Sequence, residues 1–407
     1  MSRNAERSRT STCSFADRIT RLSIDEYRLR TQKSCETTHH QTCIASFIAH
    51  DVETDSLSLL SFGSGTKFVS GHQTSPSILR DSHAEIVAKR GLRRYFLNLV
   101  SEHLLSSSCD TKSSILVRHA GDKFSLKDGV TIHMYCSSSP CGNSTIRRWA
   151  KNKQLKFDAG LKLWPSTDSH TMINGSGIRE GQFALLLKGG DGVFGSENES
   201  VGSNICHPVG TSPVLPGSEY SAPHTCSDKI FFWNTLGVQG AFLSHFFVKK
   251  ILITSIVVGR KFAFEHCRRP LCCRAGKGKK RESEERHHVS LMTCEIKFDS
   301  GEILNHGGDN EEEVGAIFTS NSFAYWGEHV ETIDGASGLL DGGKSSELSS
   351  LSFARHFSSL VGVPAEGIDS NSDIAALKSR FGSDYIQEKY RLKTQGDEFR
   401  NWVSKND

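Results

Sequence analysis

Val130-Thr131-Ile132-His133-Met134-Tyr135-Cys136-Ser137-Ser138-Ser139-Pro140-Cys141-Gly142 is the stretch on which the reading of the fold turns. Val130, Ile132 and Met134 alternate with Thr131, His133 and Tyr135, the period-two pattern of a strand with two different faces. Ser137-Ser138-Ser139-Pro140 ends the strand, and the pattern then opens a helix through Trp149, with proline suited to its first turn. The unit reads strand, turn, helix. It places the Cys141 thiol at a helix start, where unpaired backbone N–H groups and the helix dipole favour the thiolate, the form that ligates metal.

On the N-terminal side, Cys43 to Ala49 and Leu57 to Phe62 are two short apolar runs separated by the turn-prone Asp51 to Ser56, which predicts a hairpin. From Ser82 to Leu104, Ala88, Leu92, Tyr95 or Phe96, and Leu99 recur at helical spacing. Residues 1–42 are polar and read as an accessory segment, within which Ser14 to Arg30 fits a helix carrying Ile19, Leu22, Ile24 and Tyr27 near one face. On the C-terminal side a helix is expected from Ser227-Asp228 towards Lys250, then a buried strand from Ile251 to Val258. Helical patterns follow from Ser345 to Val361 and from Asp373 to Val403. Gly189 to Pro223, rich in Gly, Ser, Asn and Pro, reads as a surface insertion, and the mixed charge run Ala275 to His288 as a solvated loop. Strands mixed with helices favour one layered α/β domain over residues 43–407.

Charge selects no partner: 49 Lys+Arg against 46 Asp+Glu leave +3 over 407 residues. The longest apolar stretch, Ala241 to Val258, is broken by Lys249 and Lys250 and falls short of the ~20 residues that cross a bilayer. The N-terminus is polar and no apolar signal region follows it. A chain of the cytoplasm or nucleus is expected, not a secreted one, with no membrane and no obligatory protein partner evident. Its 12 cysteines should then be mostly reduced thiols, some free to bind metal.

Asp81-Ser82-His83-Ala84-Glu85 stands at the start of the best helix. His83 offers an imidazole for zinc, and Glu85, two residues on, can face the same pocket without ligating. Taken alone this motif is weak. Followed by strand-Pro-Cys-helix it becomes the zinc-deaminase signature, whose usual form ends Pro-Cys-x-x-Cys. Here the position three beyond Cys141 is Ser144, so a third protein ligand must come from elsewhere. Cys226 also precedes a helix and is the strongest candidate; Cys136 and Cys206 read as ordinary thiols. Cys267, Cys272 and Cys273, with His266, form a second cluster with metal-binding donors, though no paired Cys-x-x-Cys spacing supports it.

These residues resemble the adenosine deaminases that act on RNA, and within them the eukaryotic deaminases of tRNA position 37. The matching text is Gly63-Ser64-Gly65-Thr66-Lys67, Asp81 to Ile86, Ser139-Pro140-Cys141-Gly142, Cys226-Ser227-Asp228-Lys229-Ile230, Trp233-Asn234 and Gly237-Val238-Gln239-Gly240-Ala241. The resemblance covers most of residues 43–407. It implies a three-layer α/β/α zinc-deaminase fold with a mixed central sheet and a C-terminal helical extension. It further implies one zinc held by His83, Cys141 and Cys226, with Glu85 as the proton shuttle in converting adenosine to inosine. Thr66 and Lys67 would approach the ribose and phosphate of the target nucleotide. A buried inositol hexakisphosphate is implied as well, and the matching positions of its basic cage are Lys89, Arg90, Lys229, Tyr385, Lys389, Trp402 and Lys405. The chain departs from the family at Phe232, where the pattern has Arg, at Ala241, where related editing enzymes carry Ser, and at Ser218, where a basic residue normally follows Pro-Gly.

A tRNA substrate, at position 37 of alanine tRNA, is the expectation, because only about 42 residues precede the catalytic part and no double-stranded-RNA-binding module fits there. Editing of duplex RNA, a pseudo-enzyme that binds RNA without turnover, and a deaminase of free nucleosides stay open. Glu85 argues against the pseudo-enzyme, since a structural zinc needs no carboxylate beside it. The long C-terminal part argues against a free nucleoside.

Overall fold

The structure is a computed structural model, and it describes residues 13–31, 42–69, 75–105, 114–145, 186–188, 206–208, 223–273, 287–298, 321–395 and 402. Lys405, Ser218, most of the 189–223 insertion, residues 275–286 of the charge run and the helix expected from 146 to Trp149 lie outside these.

Along the chain the helices are α1 (Phe15–Thr31), α2 (Ala84–Leu105), α3 (Cys226–Leu236), α4 (Gly240–Ser244), α5 (Phe264–Leu271), α6 (Ser350–Leu360), α7 (Asn371–Phe381) and α8 (Ser383–Gln395). The strands are β1 (Ile44–Asp51), β2 (Ser56–Ser64), β3 (Leu116–His119), β4 (Lys123–Leu126), β5 (Val130–Ser138), β6 (Leu186–Lys188), β7 (Cys206–Pro208), β8 (Ser255–Arg260), β9 (Ser290–Thr293), β10 (Asn321–Trp326) and β11 (His329–Asp334). Seven of them form one mixed sheet in the order β11-β10-β2-β1-β5-β8-β9. The β5–β8 and β8–β9 pairs are parallel and the others antiparallel. The β1–β2 hairpin is closed by Asp51, whose Oδ1 accepts from the N–H groups of Glu53 and Thr54 at 2.9 and 3.2 Å.

Strand alternation decides what each layer touches. Ala45, Phe47, Ala49, Ile132, Met134, Cys136, Ile256 and Val258 face α2 and the main core. Ile44, Ile48, Tyr135 and Val257 face the other way and pack on Ala16, Ile19 and Ile24 of α1. Helix α1 is thus one outer layer of the α/β/α sandwich, integral to the fold although it lies in the polar N-terminal segment. Its N-terminal end is tied to the hairpin by Arg18, which donates to both Asp55 carboxylate oxygens at 3.0 and 2.9 Å. Helices α6 to α8 form the C-terminal extension on the α2 side, with Phe353, Phe357, Ile374 and Leu377 joining the main core. Among the described residues no helix is long and apolar enough to cross a membrane.

Four expected elements are shorter than their patterns. The helix read from Ser345 to Val361 is α6 and starts only after Ser349, whose hydroxyl accepts from Ser352 N–H at 3.1 Å. The helix from Ser227 stops at Leu236, because Gly237 turns the chain at φ 85° and its N–H closes back on the Trp233 carbonyl at 2.7 Å. The strand read from Ile251 begins only at Ser255; before it, Thr254 N–H is drawn to the Ile132 carbonyl at 2.7 Å. The helix read from Asp373 to Val403 is two helices meeting at Gly382, where a Cβ would lie 2.4 Å from the Ala241 carbonyl oxygen.

Candidate active site

Helix α2 starts at the site because the preceding loop is pinned on both sides. Ser82 N–H donates to the Lys67 carbonyl at 3.1 Å and Ala84 N–H to the Gly65 carbonyl at 3.0 Å. His83 N–H donates to Asp81 Oδ1 at 3.2 Å, so a carboxylate receives one of the N–H groups that a helix start leaves unpaired. His83 and Glu85 are consequently buried, one just before the helix and one in its first turn.

The thiols arrive from two other segments. Gly142 adopts φ 98°, and a Cβ there would lie 2.3 Å from Thr225 Oγ1, so only glycine lets the turn after Cys141 press against the start of α3. Cys226 N–H donates to Cys141 Sγ at 3.3 Å. Ser227 donates to the Cys141 carbonyl through its N–H at 3.0 Å and its hydroxyl at 2.7 Å. Ser144, at the position of the second cysteine in the usual signature, is held by Ser227 instead, with 3.0 Å between the hydroxyls. Three segments far apart in sequence thereby converge: His83 Nδ1 lies 3.8 Å from Cys141 Sγ and 3.6 Å from Cys226 Sγ, and all three donor atoms fall within 4.8 Å of one another.

This donor set fits zinc. Zn–S of about 2.3 Å and Zn–N of about 2.0–2.1 Å place sulphur and nitrogen about 3.6 Å apart around a tetrahedron, leaving a fourth position open to solvent or substrate. Burial, and then the neighbouring Cys141, push the Cys226 thiol well up from its ordinary range. Two thiolates side by side in such a site are stable only with a cation between them. Burial also raises the Glu85 carboxyl, Cys141 adds to that, and His83 opposes it. A carboxyl raised in this way holds a proton more readily than a free one, which suits it to proton transfer.

Beneath the donors sits an ion network that the sequence reading had only in part. Burial pushes the Asp81 carboxyl up, but Lys188 and Lys229 overcome it and hold the group well below the usual carboxylate range. Lys188 Nζ donates to both Asp81 oxygens at 2.8 and 2.9 Å, and Lys229 Nζ donates to Oδ2. The ammonium of Lys188 is almost completely buried, so the pair is a desolvated one whose strength depends on its being complete. Lys188 N–H donates to the Pro223 carbonyl at 2.9 Å, which fastens the strand-end lysine close to Cys226. Its one sequence signal was a lone lysine closing the apolar run Phe183-Ala184-Leu185-Leu186-Leu187.

Of the residues matched to a basic cage, Lys89, Arg90, Tyr385 and Lys389 come together, and Arg93 joins them from the same face of α2. Burial, then the charges of Arg93, Arg90, Lys389 and Lys378, drive the Lys89 ammonium well below its ordinary pKa. Burial and Arg90 bring Arg93 down to about 10, and burial lifts the Tyr385 phenol to about 12. Lys89, Arg90, Arg93, Tyr385 and Lys389 all keep some accessible surface despite this desolvation, as the walls of a hollow do. Lys229 is turned to Asp81. Trp402 stacks on Phe232 at 4.9 Å and on His224 at 4.0 Å between ring centroids, so an apolar aromatic wall stands where the pattern has Arg. Thr66 is buried and its hydroxyl has no hydrogen-bond partner among the described residues, while Lys67 is half-buried beside it.

A three-layer α/β/α sandwich with His-x-Glu at the head of one helix and Pro-Cys after the central strand defines a deaminase. The chain belongs to the adenosine-deaminase (editase) domain family, which matches residues 61–406. It is 26% identical to the mouse double-stranded RNA-specific adenosine deaminase over 404 residues, covering 96% of this chain and 32% of that protein. It is 28% identical to the Drosophila melanogaster double-stranded RNA-specific editase Adar, over 74% of this chain and 42% of the editase. With the mouse tRNA-specific adenosine deaminase 1 it shares 26% identity, over 52% of this chain and 56% of that protein. The chain therefore spans about a third of the length of the mouse double-stranded RNA-specific enzyme that it matches.

Proposed function

We propose that this chain hydrolyses adenosine to inosine in tRNA, at position 37 beside the anticodon of alanine tRNA, with one zinc held by His83, Cys141 and Cys226. The convergence of those three donors around a point beside the buried Glu85 carries the reading. Bound there, zinc supplies activation of a water for attack on adenine C6. Glu85 takes the proton released by that water and passes protons to the leaving amine, which departs as ammonia. Asp81, locked by two lysines, fixes the backbone of His83 and so the direction of its ring. Thr66, whose hydroxyl has no partner among the described residues, and the adjoining Lys67 receive the ribose and phosphate of the extruded nucleotide in this reading.

A loop adenosine supports the tRNA reading, since the base must leave its stack to reach the site and a loop makes that cheaper than a duplex. A relative named as tRNA-specific supports it too. The duplex reading is favoured by one observation, the 96% of this chain that the double-stranded RNA-specific enzyme matches. Incubating purified protein with an alanine tRNA transcript, then reading position 37 by reverse-transcription sequencing, tests the first. Conversion by the wild type but not by Glu85→Ala is expected. No conversion of tRNA together with conversion of a mismatched duplex would transfer the substrate to the second reading.

The chamber walled by Lys89, Arg90, Arg93, Tyr385 and Lys389 takes a polyanion in this reading, with inositol hexakisphosphate as its occupant. Cations this deeply desolvated and set against one another require neutralisation. Denaturing purified protein and weighing the released small molecules should yield about one inositol polyphosphate per chain; none would remove the ligand from the reading.

A further inference from the structure

We propose that Cys272, Cys273 and His288 form a second metal site, a structural zinc clip separate from the catalytic centre. Cys272 Sγ and Cys273 Sγ lie 3.4 and 3.5 Å from His288 Nδ1 and 3.3 Å from each other. Around a tetrahedral zinc, the bond lengths put S···N at about 3.6 Å and S···S at about 3.8 Å, so a small closing or opening of these side chains accommodates the ion. A disulfide would instead need the sulphurs to move in to about 2.05 Å. A cation at the centre uses all three donors, and thiolate with imidazole selects zinc over the hard divalent ions.

The backbone holds these donors in place. Side chains of consecutive residues normally diverge, but the N–H groups of both Cys272 and Cys273 donate to the Arg268 carbonyl at 2.9 Å. The last turn of α5 is thereby curled so that both sulphurs face one way. His287 is engaged elsewhere, its Nε2–H donating to the Ile253 carbonyl at 2.7 Å, which fixes the segment and leaves His288 turned to the thiols. Among the described residues no carboxylate joins this donor group, in contrast to Glu85 at the first site, and the clip's role is mechanical. It fastens the end of α5 to the start of β9. From there Asn234 Nδ2, donating to the Leu271 carbonyl at 2.8 Å, connects it to α3, and the Cys267–Ser139 contact of 3.7 Å connects it to the turn before Cys141.

The test is metal stoichiometry on the full chain, by mass spectrometry after exhaustive dialysis against zinc-free buffer with reductant. The wild type should hold two zinc ions per chain. Cys272→Ser with Cys273→Ser should hold one, and His83→Ala should hold a different one. Replacing zinc by cobalt should show thiolate-to-metal charge-transfer bands at two equivalents, half of which vanish in the double variant. To keep the test independent of the double variant's folding, the exposed His288→Ala serves beside it: it should fold, and its second zinc should dissociate at least tenfold faster to a competing chelator. One zinc per chain in the wild type, two in the folded double variant, or a Cys272–Cys273 disulfide in the protein as purified would each overturn the proposal.

Discussion

Two groups of two thiols and one imidazole stand among the described residues, and they are built in opposite ways. His83, Cys141 and Cys226 come from three segments, are largely buried, and rest on a network of Asp81, Lys188 and Lys229 with Glu85 alongside. Cys272 and Cys273 are neighbours in sequence, half-buried, and meet an exposed His288 at the surface. The same donors serve chemistry in one place and fastening in the other. The difference lies in what surrounds them: a buried carboxyl and a desolvated ion network at the first, two backbone anchors and solvent at the second.

The sharpest way to break this comparison is to remove the carboxyl that distinguishes the two. Glu85→Gln should lower turnover on RNA by roughly 10²- to 10⁴-fold, the usual weight of a general acid–base group, while both zinc ions stay bound. Near-normal turnover would make the first site as mechanical as the second. Next in size is the ion network. Asp81→Asn leaves Lys188 buried without its partner and should cost about 3–5 kcal/mol in chemical denaturation. The sign with pH follows from the depressed Asp81 carboxyl. Its contribution is full above the ordinary carboxylate range and is lost as pH falls through and below about 3.9. The stability gap between wild type and Asp81→Asn should therefore shrink in acid, and a gap that widens there would contradict the assigned ion pairs.

Chelation should then separate the groups by exposure. With a chromogenic chelator the wild type should release zinc in two phases, the faster one belonging to Cys272, Cys273 and His288 and leaving deaminase activity within about twofold of its start. A single phase would erase the distinction. The smallest effect belongs to a position remote from both groups. Ile19 is fully buried between α1 and the sheet, so Ile19→Val should cost about 0.5–1.5 kcal/mol with unchanged zinc content. No loss of stability would make α1 an appended segment and not a layer.

Much of this was legible in the sequence wherever a single local rule governs. The hairpin, α2 and β5 follow from apolar period and turn residues, and His83, Glu85 and Cys141 from their places at a helix start and a strand end. What escaped depended on partners distant along the chain. Nothing near Lys188 marks it as the partner of Asp81, 107 residues away, and the desolvation that makes it matter exists only once the chain is folded. Arg93 could have been read from its spacing of three and four residues beyond Arg90 and Lys89 on α2. In the second cluster the neighbour in sequence, His266, was named with the cysteines, while the histidine that meets Cys272 and Cys273 is His288.

By itself the sequence determined the family, the strand-turn-helix frame and the chemical types at the site, because periodicity, helix starts and short motifs are local properties of the chain. Tertiary structure alone decided which lysines lock Asp81, where the helix after Cys226 stops, and that α1 is a layer of the sandwich. Each of those depends on close approach between distant segments. Close approach is set by packing, and packing is where burial turns an ordinary charge or thiol into a functional one.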